Sequence, residues 1–145
     1  MAGVSSGLKL VNCKALVYGI EPETASTMYQ SFEKNSPAID HSSKSIAGGL
    51  APPLAGKSAY YHCREHVNGI ILISDDEIVQ TCRILFEKGL KVEPSGCAAM
   101  AALLFNKVPN VDTRCSGDMQ RTKKIVVVVS GGNISAEELT HLFSQ

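Results

Sequence analysis

The chain has 145 residues, enough for one domain with its own core, and its 44% hydrophobic and 19% charged composition excludes a disordered chain. The formal net charge is zero, so electrostatics makes no case for nucleic acid or an anionic membrane as partner. No apolar run approaches the length of a membrane span, and Met1–Gly7 has no basic segment ahead of an apolar stretch, so a cytoplasmic protein without a signal peptide is expected.

Segment types alternate along the chain, which predicts an α/β fold. Residues 2–12 form a short helix, with Val4, Leu8 and Val11 on one face. Ala15 to Ile20 reads as a buried strand, and Thr24 to Lys34 as a helix with Met28 and Phe32 four apart. Residues 35–58, rich in Ser, Gly, Pro and Ala, make a loop whose length points to function or mobility. Tyr60 to Val67 is helical and Ile70 to Ile73 is a strand. Ser74-Asp75-Asp76-Glu77 has capping-box spacing and opens an amphipathic helix, with Ile78, Cys82, Leu85 and Phe86 inward and Gly89 as its stop.

After Glu93-Pro94, Ser95 caps a small-residue helix through Leu104, whose Gly96, Ala98, Ala99, Ala101 and Ala102 allow close packing on a sheet. Residues 109–122 are loop-like. Ile125 to Val129 reads as a strand buried on both faces of a parallel sheet, followed by Ser130-Gly131-Gly132-Asn133 and a helix with Ser135 and Glu138 spaced as a capping box. In open α/β sheets ligands sit beyond the carboxyl ends of the strands, so Ser130 is a hydroxyl delivered to a binding edge. Read by itself, the same stretch is also an ordinary strand-to-helix turn.

Cys13, Cys63, Cys82, Cys97 and Cys115 are odd in number and widely spaced, which argues against a disulfide framework or zinc ribbon. Most should be small buried side chains in a reduced, intracellular setting. His62-Cys63-Arg64-Glu65-His66 matches the H-x-x-E-H spacing of zinc peptidases, but no further ligand or peptidase scaffold accompanies it, and two solvated histidines are expected.

Taken in order, six stretches resemble the fold-type II pyridoxal-phosphate (PLP) enzymes, and within them the serine/threonine dehydratase and serine racemase branch. They are Ala2-Gly3-Val4, Tyr18-Gly19-Ile20-Glu21-Pro22-Glu23 with Met28-Tyr29-Gln30-Ser31, Ser45-Ile46-Ala47-Gly48-Gly49-Leu50-Ala51, Ser74-Asp75-Asp76-Glu77-Ile78, Val92-Glu93-Pro94-Ser95-Gly96 and Val128-Val129-Ser130-Gly131-Gly132-Asn133.

The resemblance implies a three-layer parallel sheet flanked by helices. Residues 1–145 would then be an incomplete large domain, matching the C-terminal half of the family's catalytic region. The Schiff-base Lys motif and the phosphate loop have no counterpart here, so the chain alone is expected to carry no catalytic residue. The parental reaction would be loss of water from L-serine or L-threonine to give a 2-oxo acid and ammonia, or racemisation, on a small amino-acid substrate. The alternative is a non-catalytic truncated isoform or gene remnant that pairs, as a homo- or hetero-oligomer, with a full-length homologue.

Residue by residue, Ser130 matches the hydroxyl that faces the cofactor's pyridine nitrogen, with Gly131, Gly132 and Asn133 beside it. Glu93 matches a ring-side position, or is simply a helix-entry turn with Pro94. Glu21 and the Ala25 carbonyl match ligands of a divalent cation. Thr27 stands where the family has a carboxylate, so no tight Mg²⁺ or Ca²⁺ site is expected. Gly48 stands where this branch commonly has Asp, in a segment, Ser42 to Gly56, that would border the site.

Overall fold

The computed structural model describes residues 1–111 and 123–144. The loop expected over 109–122, and Cys115 with it, lies largely outside these residues. Six helices and two strands follow in the order α1 (Ala2–Leu10), β1 (Tyr18–Pro22), α2 (Thr27–Lys34), α3 (Lys57–His66), β2 (Gly69–Ile73), α4 (Asp75–Glu87), α5 (Pro94–Leu104) and α6 (Ala136–Phe143).

β1 and β2 pair in parallel, with Tyr18 opposite Gly69 and Pro22 opposite Ile73. The ladder is extended at both ends, by Asn68 N–H to Val17 O at 2.7 Å and by Glu23 N–H to Ile73 O at 2.8 Å. Alternation along β2 divides the core into two layers, because successive side chains point to opposite faces. Ile71 and Ile73 pack with Ile20 into the α4–α5–α6 layer, around Ile78, Cys82, Leu85, Cys97, Ala98, Ala101 and Ala102. Ile70 packs with Val17 into the other layer, around Met28, Tyr60, Cys63 and Val67 of α2, α3 and the turn after it. Helices therefore flank a parallel sheet on both sides, the three-layer α/β arrangement expected. Among the described residues no helix is long and apolar enough to cross a membrane.

The two capping boxes form as their spacing predicts. Ser74 Oγ accepts from Glu77 N–H at 3.2 Å while Glu77 Oε2 accepts from Ser74 N–H at 2.7 Å. Ser135 and Glu138 make the same pair at 3.1 and 2.7 Å. Each N-cap contributes about 1 kcal/mol to its helix. Glu77 does more: the same Oε2 accepts from Lys107 Nζ at 2.7 Å, and that ammonium also donates to Leu72 O at 3.1 Å. The first turn of α4 is thereby fastened to the carboxyl end of β2.

Several expectations are corrected. The valine run is not a strand of the sheet: residues 123–134 join no ladder, and Val126 and Val128 are 90% and 66% exposed. β-branched residues fit a pleated, half-buried surface wherever one is offered, but they do not supply the neighbouring strand. Among the described residues the sheet has only β1 and β2.

On α1 it is Ser5 that is buried, whereas Val4 and Val11 are 59% and 73% exposed. Phe86 of α4 is 47% exposed rather than inward, and Thr81 takes the buried position. Phe86 lies against Phe143 of α6, with ring centroids 5.9 Å apart. Ser95 does not cap α5, because Glu93 is the N-cap and Pro94 the first helical residue. Lys57 belongs to α3 and not to a loop.

Leu10, Val11, Leu16, Val126 and Val128 are all largely exposed. Apolar surface of this kind promotes self-association. The purified chain should sediment as concentration-dependent oligomers or aggregates; a compact monomer at high concentration would contradict this.

Candidate functional site

Parallel pairing brings the carboxyl ends of β1 and β2 to one edge. Two segments meet the first turn of α5. The first is the Ser130-Gly131-Gly132 turn. Gly96 lies so close to it that a Cβ at residue 96 would collide with the Ser130 carbonyl. Gly131 has φ +73, a left-handed backbone that favours glycine, and any side chain there would strike the Glu93 carboxylate. Ser130, Gly131, Gly132 and Asn133 are exposed, while Ile134 behind them is buried. The four sequence-predicted residues and Glu93 are thus brought together by a backbone-on-backbone contact.

The second segment is the loop before α3. Its Gly48–Leu50 turn is tied to α5 by Gly49 N–H donating to Ser95 Oγ at 3.0 Å. Upstream, Asp75 accepts from Ser45 Oγ at 2.5 Å and from Ile46 N–H at 3.3 Å. Ile39 and Leu54 form an antiparallel bridge across the loop. The long loop is therefore tied to α4 and α5 and bridged across itself. Ser95 and Asp75 do this without having been singled out as site residues. Their signal in the sequence was ambiguous, because each also has a helix-start position.

Apart from these, the Glu21–Ala25–Thr27 cluster lies at the start of α2. Glu21 Oε1 and Oε2 accept from Met28 N–H at 2.9 Å and Tyr29 N–H at 2.8 Å. These are amides of the first turn of α2, which otherwise lack partners inside the helix. The helix's own N-cap, Ser26, makes no side-chain bond, so Glu21 performs its role from the neighbouring strand. Thr27 is buried and donates to Pro52 O at 3.1 Å. Ala25 is fully buried. Here the trio organises a helix start: both carboxylate oxygens are engaged by amides.

Burial raises the Glu21 carboxyl above its ordinary range, against the two amide bonds that lower it. The exposed Glu138 carboxyl is lowered instead by its cap bonds to Ser135.

His62 and His66 do share a face of α3, their ring centroids 6.3 Å apart. His66 is not the solvated residue expected: its side chain is 15% exposed and its Nδ1 is buried without a hydrogen-bond partner. His62 Nδ1 instead contacts Ser6 Oγ at 3.3 Å. No group of three or more His, Cys, Asp or Glu residues suited to a metal occurs among the described residues.

The sequence profile of the pyridoxal-phosphate dependent enzymes matches residues 1–131. The chain belongs to that family. It is 36% identical over 137 residues to a phenylserine dehydratase of Ralstonia pickettii, covering 94% of this chain and 39% of that protein. It is 32% identical over 136 residues to a serine racemase of Schizosaccharomyces pombe, covering 92% and 38%. A solved maize serine racemase superposes with a TM-score of 0.81 at 27% identity, covering 97% of this chain and 41% of that one. The chain thus spans about two fifths of the length of these family members.

The family's cofactor can be tested against the residues present. Ser130 is exposed, and the glycine beside it is closely covered by the Glu93 carboxylate on the inner side. The solvent side of the turn, where residues 130–133 are exposed, is the side a pyridine ring would take. Lys91 meets this turn through its backbone carbonyl, 3.3 Å from where a Cβ on Gly132 would lie.

Two substitutions test the geometry. Gly96→Val should cost about 1–3 kcal/mol by forcing the Ser130 turn outward. Chemical denaturation would measure the loss, and an unchanged midpoint would show the contact to be dispensable.

Glu21→Gln should weaken the cap by about 1 kcal/mol. It should also flatten one pH dependence. With its carboxyl raised in the folded chain, Glu21 holds a proton through a window where the unfolded chain has released it. Its contribution is therefore fully present below the unfolded pKa and is lost as pH rises through the folded one. Denaturation midpoints across the mildly acidic range should lose this slope in Glu21→Gln.

Proposed function

We propose that this chain is part of the cofactor-bearing domain of a hydroxy-amino-acid dehydratase or racemase and that, taken by itself, it does not turn over. The observation that carries the reading is the Ser130-Gly131 turn seated on Gly96 and Glu93 at the sheet's carboxyl edge, in a chain the family profile matches over residues 1–131. The parental chemistry is removal of the α-proton and loss of the β-hydroxyl from a small amino acid such as L-serine or L-threonine, or return of the proton to the opposite face. A cytoplasmic setting in amino-acid metabolism agrees with this reading.

The cofactor would supply the electron sink that makes the α-proton removable. Ser130 would hold a neutral hydrogen bond at the pyridine nitrogen, which limits how far that nitrogen is protonated. Gly131 and Gly132 would let the backbone approach the ring, and Glu93 would line its side. Ser45 and the Gly48–Gly49 turn, fixed through Asp75 and Ser95, would border the substrate space. Glu21 serves α2 rather than a tightly bound divalent cation.

A second reading is favoured by the span of the match and the exposed apolar side chains: a non-catalytic partner of a longer homologue. None of the ten lysines lies in a sequence context resembling the family's Schiff-base motif.

The two readings share one test. Purified chain is mixed with pyridoxal phosphate, reduced with borohydride and mapped by peptide mass, beside an oxo-acid assay with L-serine and L-threonine. No stoichiometric phosphopyridoxyl-lysine and no turnover are expected. One fully labelled lysine together with turnover would overturn the proposal of an inactive chain. Recovery of activity on adding a homologue's N-terminal half, abolished by Ser130→Asp, would support the first reading over the second.

A further inference from the structure

Cys82 of α4 and Cys97 of α5 face each other across the seam between the two helices. Their sulfurs are 2.9 Å apart, and the residues are 1% and 0% exposed. The Cys97 sulfur also lies 3.8 Å from Val92 O. Their surroundings are apolar: Ile78, Leu85, Val92, Ala98 and Ala101 belong to the same cluster. Neither thiol has a part in the cofactor-side geometry. Nothing in packing alone requires two thiols here, since two small apolar side chains would fill the seam equally well.

We propose that Cys82 and Cys97 form a reversible oxidation site, which a small oxidant of the peroxide class closes to a disulfide joining α4 to α5. The sulfurs need to approach by only about 0.9 Å to reach bonding distance.

The step balances. The Cys82 thiolate attacks one peroxide oxygen, giving a sulfenic acid and, with a proton, water. The Cys97 sulfur then displaces the sulfenic hydroxyl, which leaves with the Cys97 proton as a second water. Two thiols are oxidised by two electrons and one hydrogen peroxide is reduced to two waters. A thiol reductant reverses the bridge.

The order of attack follows from where the pair keeps its proton. The contact with Cys97 lowers Cys82, which therefore gives up its proton before its neighbour, while the contact with Cys82 and burial raise Cys97. Cys63 provides the internal contrast. It is equally buried, and burial raises it, but no second thiol is within bonding reach among the described residues.

Cys97 directly follows Gly96, the residue on which the Ser130 carbonyl rests. Closing the bridge would fix the first turn of α5 against α4 and so bear on the Ser130 turn. The oxidation itself does not depend on any cofactor reading.

The test uses the full chain. It is treated with stoichiometric hydrogen peroxide, denatured, alkylated and digested with trypsin without reduction. Cleavage places Cys82 and Cys97 in separate peptides, 65–83 and 92–107, each with one cysteine. The expected result is a cross-linked pair of these peptides, lighter than their sum by two hydrogens. It should be lost on dithiothreitol treatment and absent in Cys82→Ala and Cys97→Ala. Peptide 58–64, carrying Cys63, should remain alkylated. The wild-type map decides by itself if either variant fails to fold. Full alkylation of Cys82 and Cys97 while exposed Cys13 is oxidised would overturn the proposal. So would a bridge from either residue to any other cysteine.

Discussion

Two five-residue strands lying side by side in the same direction set the geometry on which everything else depends. Parallel pairing forces both chains to exit at one edge and to be joined by a crossover long enough to include helices. The register places Glu21 opposite Leu72 and Pro22 opposite Ile73, so the start of α2 and the start of α4 emerge together. Each start is then held by a carboxylate. Glu21 reaches the amides of α2 from the strand, and Glu77 closes its own capping box while also receiving Lys107. The two helix starts are therefore fastened at the carboxyl edge of the sheet by hydrogen bonds to carboxylates.

The small residues of α5 exploit that frame. With Ala98, Ala101 and Ala102 in the core, the helix lies close against the α4 layer and the sheet. Its first turn has no side chain at residue 96, and there the Ser130 backbone makes contact. A hydroxyl that belongs to a distant part of the chain is thus positioned by the absence of a methyl group. The turn is in contact on the α5 side, and on the other Val126 and Val128 of the valine run face solvent. The chain spans about two fifths of the length of its relatives.

Glu21 shows how one residue type can serve two purposes. The family resemblance associates its position with a cation, and a strand-end carboxylate suits that chemistry. The same carboxylate, one strand away from the first turn of α2, can also receive two amides that would otherwise go unbonded. With Thr27 in place of a second carboxylate and its hydroxyl committed to Pro52, the helix is the partner it has.

Local patterns were legible because their causes are local. Both capping boxes, the inward stripe of Ile78, Cys82 and Leu85, the β2 strand and the small-residue character of α5 all follow from spacing within one segment. The ordered motifs from Ala2 to Asn133 were enough to indicate the family. What the sequence left open needed a neighbour to decide it. Whether the valines pair depends on a free strand edge beside them. Whether Val4 or Ser5 turns inward depends on how α3 lies against α1. Whether Ser95 caps α5 or receives Gly49 depends on a loop 46 residues away in the chain. The sequence by itself determined the helices, the β2 strand and which chemistry-bearing residues they carry, but not whether the valine run would find a strand to pair with. Tertiary structure alone decided which of those residues meet, because hydrogen bonds and burial between distant segments leave no periodicity along the chain.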